Sequence, residues 1–333
     1  MKWSTLLSNL LAGQSLSADE TAWVTGQILA GAATEAQIAA FAIALRAKGE
    51  TVAEVAGLAE GMLAKVTPLA VSNDVVDLVG TGGDQAHTVN ISTMAAMVAA
   101  AAGVPVVKHG GRAASSTSGA ADVLEALGVD LDVDPAVALR ESGIAFCFAP
   151  KYHAGLAHAS KPRRELGVPT VFNFLAPLIN PARPRAQAVG VAHAHMAPII
   201  AGVLASWGRS SLVFRGDDGL DELSTSGPST VWVVRDGAVE VVRFDPADLG
   251  IPRASLADLR GGDAVHNAGV ARAVLAGEAG PVRDIVVLNA AAAVVAYEGG
   301  SVEDLGKACE RTAAAIDSGA ATALLERWAS PRN

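Results

Sequence analysis

The sequence predicts an α/β protein: a small all-helical N-terminal domain followed by a larger domain with a mainly parallel central sheet and an antiparallel edge hairpin. Three observations carry this. Three helix-start signatures fall before residue 55, with no strand pattern ahead of Val75. From Val75 onward, short apolar runs alternate with helical segments, the pattern of strands joined by crossover helices. Near residue 236, two β-rich runs flank Asp236-Gly237, a turn pair suited to a hairpin.

The helix starts are Ser17-Ala18-Asp19-Glu20, Thr34-Glu35-Ala36-Gln37 and Thr51-Val52-Ala53-Glu54. Each has the S/T-x-x-E/Q spacing in which side chain and backbone cap each other. Gly31 and Gly49 are helix stops between them. Ile38, Phe41, Ala42 and Leu45 recur at helical spacing, so that helix buries one face. Thr67-Pro68 and Ser72-Asn73-Asp74 then read as a hinge. The expected strands are Val75 to Val79, Val104 to Val107, Ile144 to Phe148, Ala188 to Val191, Leu212 to Phe214, Val231 to Val234 and Val239 to Phe244. Ser301-Val302-Glu303-Asp304 opens a helical tail reaching Trp328, and Lys151 to Asn180 shows no clear strand.

Two loops point to chemistry. Val75 to Val79 runs into Gly80-Thr81-Gly82-Gly83-Asp84, and Asn90-Ile91-Ser92-Thr93 then opens an alanine-rich helix. Glycines let backbone N–H groups approach an anion, and a helix start adds unpaired donors. The spacing matches neither G-x-x-x-x-G-K-[ST] nor G-x-G-x-x-G. One helix later comes Lys108-His109-Gly110-Gly111-Arg112, then Ala113-Ala114-Ser115-Ser116, a loop of cations, glycines and hydroxyls. Each loop alone also reads as an ordinary turn. Together, on adjacent parallel strands, they imply a ligand phosphorylated at both ends. Asp221-Glu222, following Gly216-Asp217-Asp218-Gly219, supplies carboxylates for a hard cation.

Composition narrows the field. With 333 residues, 51% of them apolar, the chain has material for a core and two domains. A net charge of -9 argues against a broad grip on nucleic acid. Cys147 and Cys309 form no metal spacing or disulfide framework, so a reducing, cytoplasmic setting is expected. The leucines of the N-terminus are broken by Ser8, Asn9 and Gln14, and Ala95 to Ala102 is too short and weakly apolar for a bilayer, so neither export nor a membrane anchor is expected.

GTGGD, NIST, KHG-x-R and SS-x-SG-x-AD-x-LEALG together resemble the anthranilate phosphoribosyltransferases of tryptophan biosynthesis. Matches continue at Arg163-Arg164-Glu165-Leu166-Gly167, Phe172-Asn173, Pro177-Leu178 and Asn180-Pro181. The resemblance implies transfer of a phosphoribosyl group from phosphoribosyl pyrophosphate to anthranilate, with two Mg2+ per active site and a homodimer formed through the helical domain. It implies a helical domain of residues 1–70 joined by about 151–182, and an α/β domain of 71–150 and 183–333. Gly80, Gly83, Asp84, Thr88, Asn90, Ile91, Ser92 and Thr93 would meet phosphoribosyl pyrophosphate, as would residues from Lys108 through His109, Gly110, Gly111, Arg112, Ala113, Ala114 and Ser115 to Ser116, and Ala120. Ser92, Asp221 and Glu222 would hold magnesium; Gly80, Gly111 and Arg163 would meet anthranilate.

No strong general base is expected, since departure of pyrophosphate through an oxocarbenium-like transition state needs positioning and charge stabilisation, with Lys108 and Arg163 in support. His109, flanked by glycine, reads better as a structural hydrogen-bonder than as a base. Departures from the family pattern fall on the acceptor side: Gly111 in place of asparagine, Ala154 and Ala157 within His153-Ala154-Gly155-Leu156-Ala157, and Ala176 in Leu175-Ala176-Pro177-Leu178. They leave open a relative acting on another small aromatic amine. A nucleoside phosphorylase or a nucleic-acid-binding paralogue would leave Asp221-Glu222 without a role or need a basic groove.

Overall fold

The computed structural model describes residues 1–67, 69–112 and 117–330. The chain opens with four helices, α1 (Trp3–Leu11), α2 (Ala18–Leu29), α3 (Glu35–Lys48) and α4 (Val52–Leu63). All three expected capping boxes form: Ser17, Thr34 and Thr51 each accept from the third residue of their helix, whose side chain bonds back. Ile38, Phe41, Ala42 and Leu45 are buried on α3. Helices α2 and α4 approach through glycine, because a Cβ on Gly57 would lie 2.1 Å from the Ala18 carbonyl oxygen.

The sheet follows. Its strands are β1 (Val76–Gly80), β2 (Val106–Gly110), β3 (Ile144–Phe148), β4 (Ala186–Gly190), β5 (Ser210–Gly216), β6 (Ser229–Arg235) and β7 (Ala238–Phe244), in the order β3-β2-β1-β4-β5-β6-β7. The first five are parallel; β6 and β7 are antiparallel. Asp236 and Gly237 both take positive φ, as a two-residue hairpin requires. The order reverses direction between β1 and β4, the place where ligands sit in such sheets.

Helices cover both faces. The remaining ones are α5 (Ile91–Ala101), α6 (Ala120–Ala126), α7 (Pro135–Ser142), α8 (Ala149–Tyr152), α9 (Ala157–Leu166), α10 (Met196–Ser206), α11 (Ala264–Leu275), α12 (Pro281–Glu298), α13 (Leu305–Asp317) and α14 (Ala320–Ala329). Val76, Leu78, Val106 and Leu212 pack with α5 and α12. Val79, Val189 and Val213 face the other way, into a cluster shared with α10, Phe41 and Leu45. Period-two alternation thus sends neighbouring strand residues to different cores. Phe172, Phe174 and Leu175 join that second cluster, and α9 packs on α2 and α3.

Strand edges differ from the sequence expectation by a few residues. Lys108, His109 and Gly110 belong to β2 rather than to the loop after it. Reading the strand to its last apolar residue stops it at Val107, whereas the buried polar pair Lys108 and His109 continues it under the site. Glycine fits the α2–α4 contact so closely that Gly57→Ala is expected to destabilise the protein by about 1–3 kcal/mol. Alanine's better helix propensity, worth about 1 kcal/mol, acts in the opposite direction. Urea unfolding decides, and a more stable variant would refute the packing argument.

Candidate active site

The glycine loop after β1 is shaped by what crosses above it. A Cβ on Gly80 would sit 2.2 Å from Asp221 Oδ2, and one on Gly190 would sit 1.6 Å from the Asp221 carbonyl oxygen. Asp221 therefore lies over the ends of β1 and β4, where a side chain on either strand end has no room. Its Oδ2 accepts from the Gly82 N–H at 2.7 Å, and Thr81 N–H reaches the Gly190 carbonyl at 3.0 Å. Gly82 and Gly83 hold φ of 68° and 87°, a region glycine enters freely. Asp84 Oδ1 closes the turn on the Ala86 N–H at 3.1 Å.

The start of α5 faces the same space. Asn90 does not cap the helix with its side chain. Its amide bonds the Ser118 carbonyl at 3.1 Å and accepts from Asn267 at 2.8 Å. Thr88 pairs in a bridge with Arg260, and Ile91, Ser92 and Thr93 form the first turn. That turn places Ser92 against the lysine of β2.

Lys108 is the buried cation of the site, only 2% exposed. Its Nζ donates to the Leu78 carbonyl and, at 3.2 Å, to Ser92 Oγ. Burial pulls its pKa down, while Asp77, Glu222 and Asp221 oppose that pull. The carboxylates are pushed the other way. Burial and then the Asp84 charge raise Asp221 to about 7, and burial with Asp221 beside it raises Glu222 well above the ordinary range. A crowd of carboxylates this reluctant to ionise calls for a cation.

Among the described residues, no three His, Cys, Asp or Glu side chains converge into a protein-only metal cage. Ser92, Asp84, Asp221 and Glu222 nevertheless offer hard oxygen atoms around one space. That donor set fits Mg2+, which commonly completes its shell with water and substrate phosphates.

His109 is 1% exposed, with Nδ1 3.0 Å from the Ala176 carbonyl. The carbonyl can only accept, so Nδ1 carries the proton and Nε2 keeps a lone pair without a partner among the described residues. Burial first, then His153 and Lys108, lower its pKa to about 3. It stays neutral, too weak a base to hold a substrate proton at neutral pH. Among the described residues, nothing lies within 4 Å of a Cβ added at Gly111, and its φ is ordinary. Arg112 lines the cavity, but its guanidinium is paired with Asp122 and Glu125 and lies over Phe148. Ala113, Ala114, Ser115 and Ser116 lie outside the described residues.

A cavity of about 340 Å³ gathers Gly80, Gly83, Asp84, Thr88, the first turn of α5, residues 108–112, Ala120, Asp221 and Glu222. Arg163 is not among its lining residues; it stacks half-buried on Phe172, 5.9 Å from the ring centre, with no carboxylate in ion-pair distance among the described residues. A larger groove, about 550 Å³, runs along α11 to the start of α12. Its lining mixes valines such as Val265 and Val274 with small residues and only Glu278 and Arg283 as charged ones, without the carboxylates and lysine that converge in the first, so we place the site in the smaller cavity.

Sequence reading missed the residues that hold the acid pair and the Asn90 amide in place. Asn289 on α12 is 1% exposed and grips both the N–H and the carbonyl of Leu223, at 2.9 and 3.0 Å, immediately after Glu222. Asn267 on α11 orients Asn90. A lone asparagine inside an alanine-rich helix was the available signal.

Phosphate-suited loops, a buried lysine and an acid pair at the switch point of this sheet define a sugar-phosphate transferase. Residues 72–322 match the α/β domain of a glycosyl transferase family, and residues 4–66 its helical bundle domain. The chain is 60% identical over 332 residues to the anthranilate phosphoribosyltransferase of Thermobifida fusca, covering 98% of this chain and 95% of the relative. The anthranilate phosphoribosyltransferase of Thermus thermophilus superposes with a TM-score of 0.91 at 38% identity, over 97% of this chain and 98% of the other. The Saccharomyces cerevisiae enzyme, solved in complex with PRPP and Mg, gives 0.87 at 28% identity, over 98% and 96%. The chain belongs to the anthranilate phosphoribosyltransferase family.

The buried carboxylate of Asp77 provides a pH test. Burial raises its pKa from 3.8 to about 6, against the Lys108 charge and the bonds from Asn180 and His109. An acid with a raised folded-state pKa stabilises most below its unfolded value and loses that contribution as pH rises through the folded value. The unfolding free energy of the wild type, measured against Asp77→Asn, should therefore fall by about 2–3 kcal/mol between pH 4 and pH 7. A difference that stays flat across that window refutes the assignment.

Proposed function

We propose that this cavity binds phosphoribosyl pyrophosphate across its two loops and transfers the phosphoribosyl group to anthranilate, releasing pyrophosphate. The observation that carries the reading is Lys108, buried beside Ser92 and faced by Asp221 and Glu222 between two glycine loops on neighbouring parallel strands. Family membership supports it.

In the reaction, the bond from the anomeric carbon to pyrophosphate breaks, a bond to the amine nitrogen forms, and the amine proton leaves to solvent or to the pyrophosphate. The Gly83 and Asp84 backbone and the Ser92 and Thr93 hydroxyls, which line the cavity, suit the phosphate oxygens, and Lys108 counters the charge developing on the leaving group. Mg2+ held by Ser92 on one side and by Asp221 with Glu222 on the other, two ions in all, would neutralise the pyrophosphate charge. On the acceptor side, neutral His109 holds the Ala176 carbonyl through Nδ1 and so fixes the wall that the amine meets. Arg163, a guanidinium without an ion-pair partner among the described residues, suits the anthranilate carboxylate.

The same proposal assigns residues 1–70 and about 151–182 to a helical domain and 71–150 with 183–333 to the α/β domain. It includes a homodimer through the helical domain, supported by exposed Leu11 and Ile43 on its surface, and a cytoplasmic location. No helix among the described residues is long and apolar enough to cross a membrane. The absence of any described residue within 4 Å of a Cβ added at Gly111 favours one alternative, another small aromatic amine as acceptor.

Incubation with phosphoribosyl pyrophosphate, Mg2+ and a panel of aromatic amines tests the reading: anthranilate should give the highest kcat/KM, and turnover confined to another amine selects the alternative. Lys108→Ala should lower kcat by about 100-fold or more with the fold intact. Arg163→Ala should raise the anthranilate KM by about 10- to 100-fold, as expected for a hydrogen bond to a charged group. A wild-type KM would remove Arg163 from the acceptor site. Light scattering reads the oligomeric state.

A further inference from the structure

Strands β1 and β2 pair through Val76 and Val106, and side chains take over beyond that rung. The Leu78 carbonyl is taken by Lys108 Nζ. The His109 N–H goes to Asp77 Oδ1 at 3.1 Å, and the Val107 carbonyl accepts from Asn180 Nδ2 at 2.8 Å. The same Nδ2 donates to Asp77 Oδ2 at 2.8 Å, while Asn180 Oδ1 accepts from the Ala182 N–H at 2.9 Å. Asp77 and Asn180 are 0% and 2% exposed. Buried backbone groups are nearly always paired, and here paired side chains replace the missing rungs.

The segment that carries Asn180 is tied down along its length. His109 bonds the carbonyl of Ala176, Gln187 that of Pro177 at 2.6 Å, and His153 that of Ile179 at 2.8 Å. Ala176 itself lines the cavity, beside Gly110 and Gly111. We propose that Asp77 and Asn180 are positioning residues: their hydrogen-bonded pair props the ends of β1 and β2 apart and sets where the Ala176 wall stands against the amine acceptor. Neither touches substrate. Both act through the backbone of β2 and through residues 176–180. The inference rests on the transfer reading above, and it adds that the acceptor side is aligned by a pair buried beneath the donor loops.

The test measures both substrates separately. Asn180→Ala breaks the tie without touching Lys108, Asp221 or Glu222, so the amine KM should rise about tenfold or more while the phosphoribosyl pyrophosphate KM stays within about twofold. Both KM values rising alike, or neither moving, overturns the proposal. The reversed pair, Asp77→Asn with Asn180→Asp, keeps the charge, the mutual bond and the acceptors for His109 and Ala182, and gives up the bond to the Val107 carbonyl. Its amine KM should lie at least about threefold below that of Asp77→Asn alone even if Asn180→Ala fails to fold, and a KM as poor as that of the single variant overturns the proposal. Wild-type turnover with the amine panel, run alongside, separates this outcome from failure of the transfer reading. A crystal structure of the reversed pair should keep residues 176–180 in place, and a displaced segment counts against the proposal whatever the activity.

Discussion

One buried ammonium group governs the arrangement of this site. Lys108 is withdrawn from water at the end of β2 and stays favourable only because the Leu78 carbonyl, Ser92 and three carboxylates surround it. Each of those groups needs the cation in return. Asp221 and Glu222 sit close to one another and to Asp84, and their mutual repulsion would be greater without Lys108 beside Glu222. The result is a cleft lined with buried ionisable groups in advance of any ligand, with a balance that a hard cation and a polyanionic substrate would complete.

Small residues make that crowding geometrically feasible. Gly80 and Gly190 let Asp221 pass directly over two strand ends, and Asn289 clamps the chain two residues further on. Alanine-rich α5 and α12 pack against each other under the sheet, consistent with a chain that carries only 4% aromatic residues. Rigid, close-packed helices beneath a cleft of this kind keep the charged groups where electrostatic stabilisation needs them.

The acceptor side follows a different logic. There the wall is a segment of short turns held by single hydrogen bonds from His109, Gln187 and His153, not by a ladder. Gly111 and Ala176, residues with little or no side chain, fall on this side, and a Cβ added at Gly111 meets none of the described residues. The donor side has no such latitude, since a Cβ at Gly80 or Gly190 collides with Asp221.

Local rules were enough to read much of the chain. Capping boxes at Ser17, Thr34 and Thr51 announce their helices because the signal lies within four residues, and Asp236-Gly237 announces its hairpin for the same reason. The glycine loops and the acid pair could likewise be named, as their residue types are tied to the chemistry they serve. Tertiary structure alone decided that β2 runs on through Lys108 and His109, that Arg112 is held by Asp122 and Glu125, and that Asn289 supports the acid pair from 66 positions away. It also decided the pairing of Asp77 with Asn180, 103 positions apart. The physical reason is common to all four: whether a polar side chain is buried, and what it then meets, depends on strands and helices brought together from distant parts of the chain.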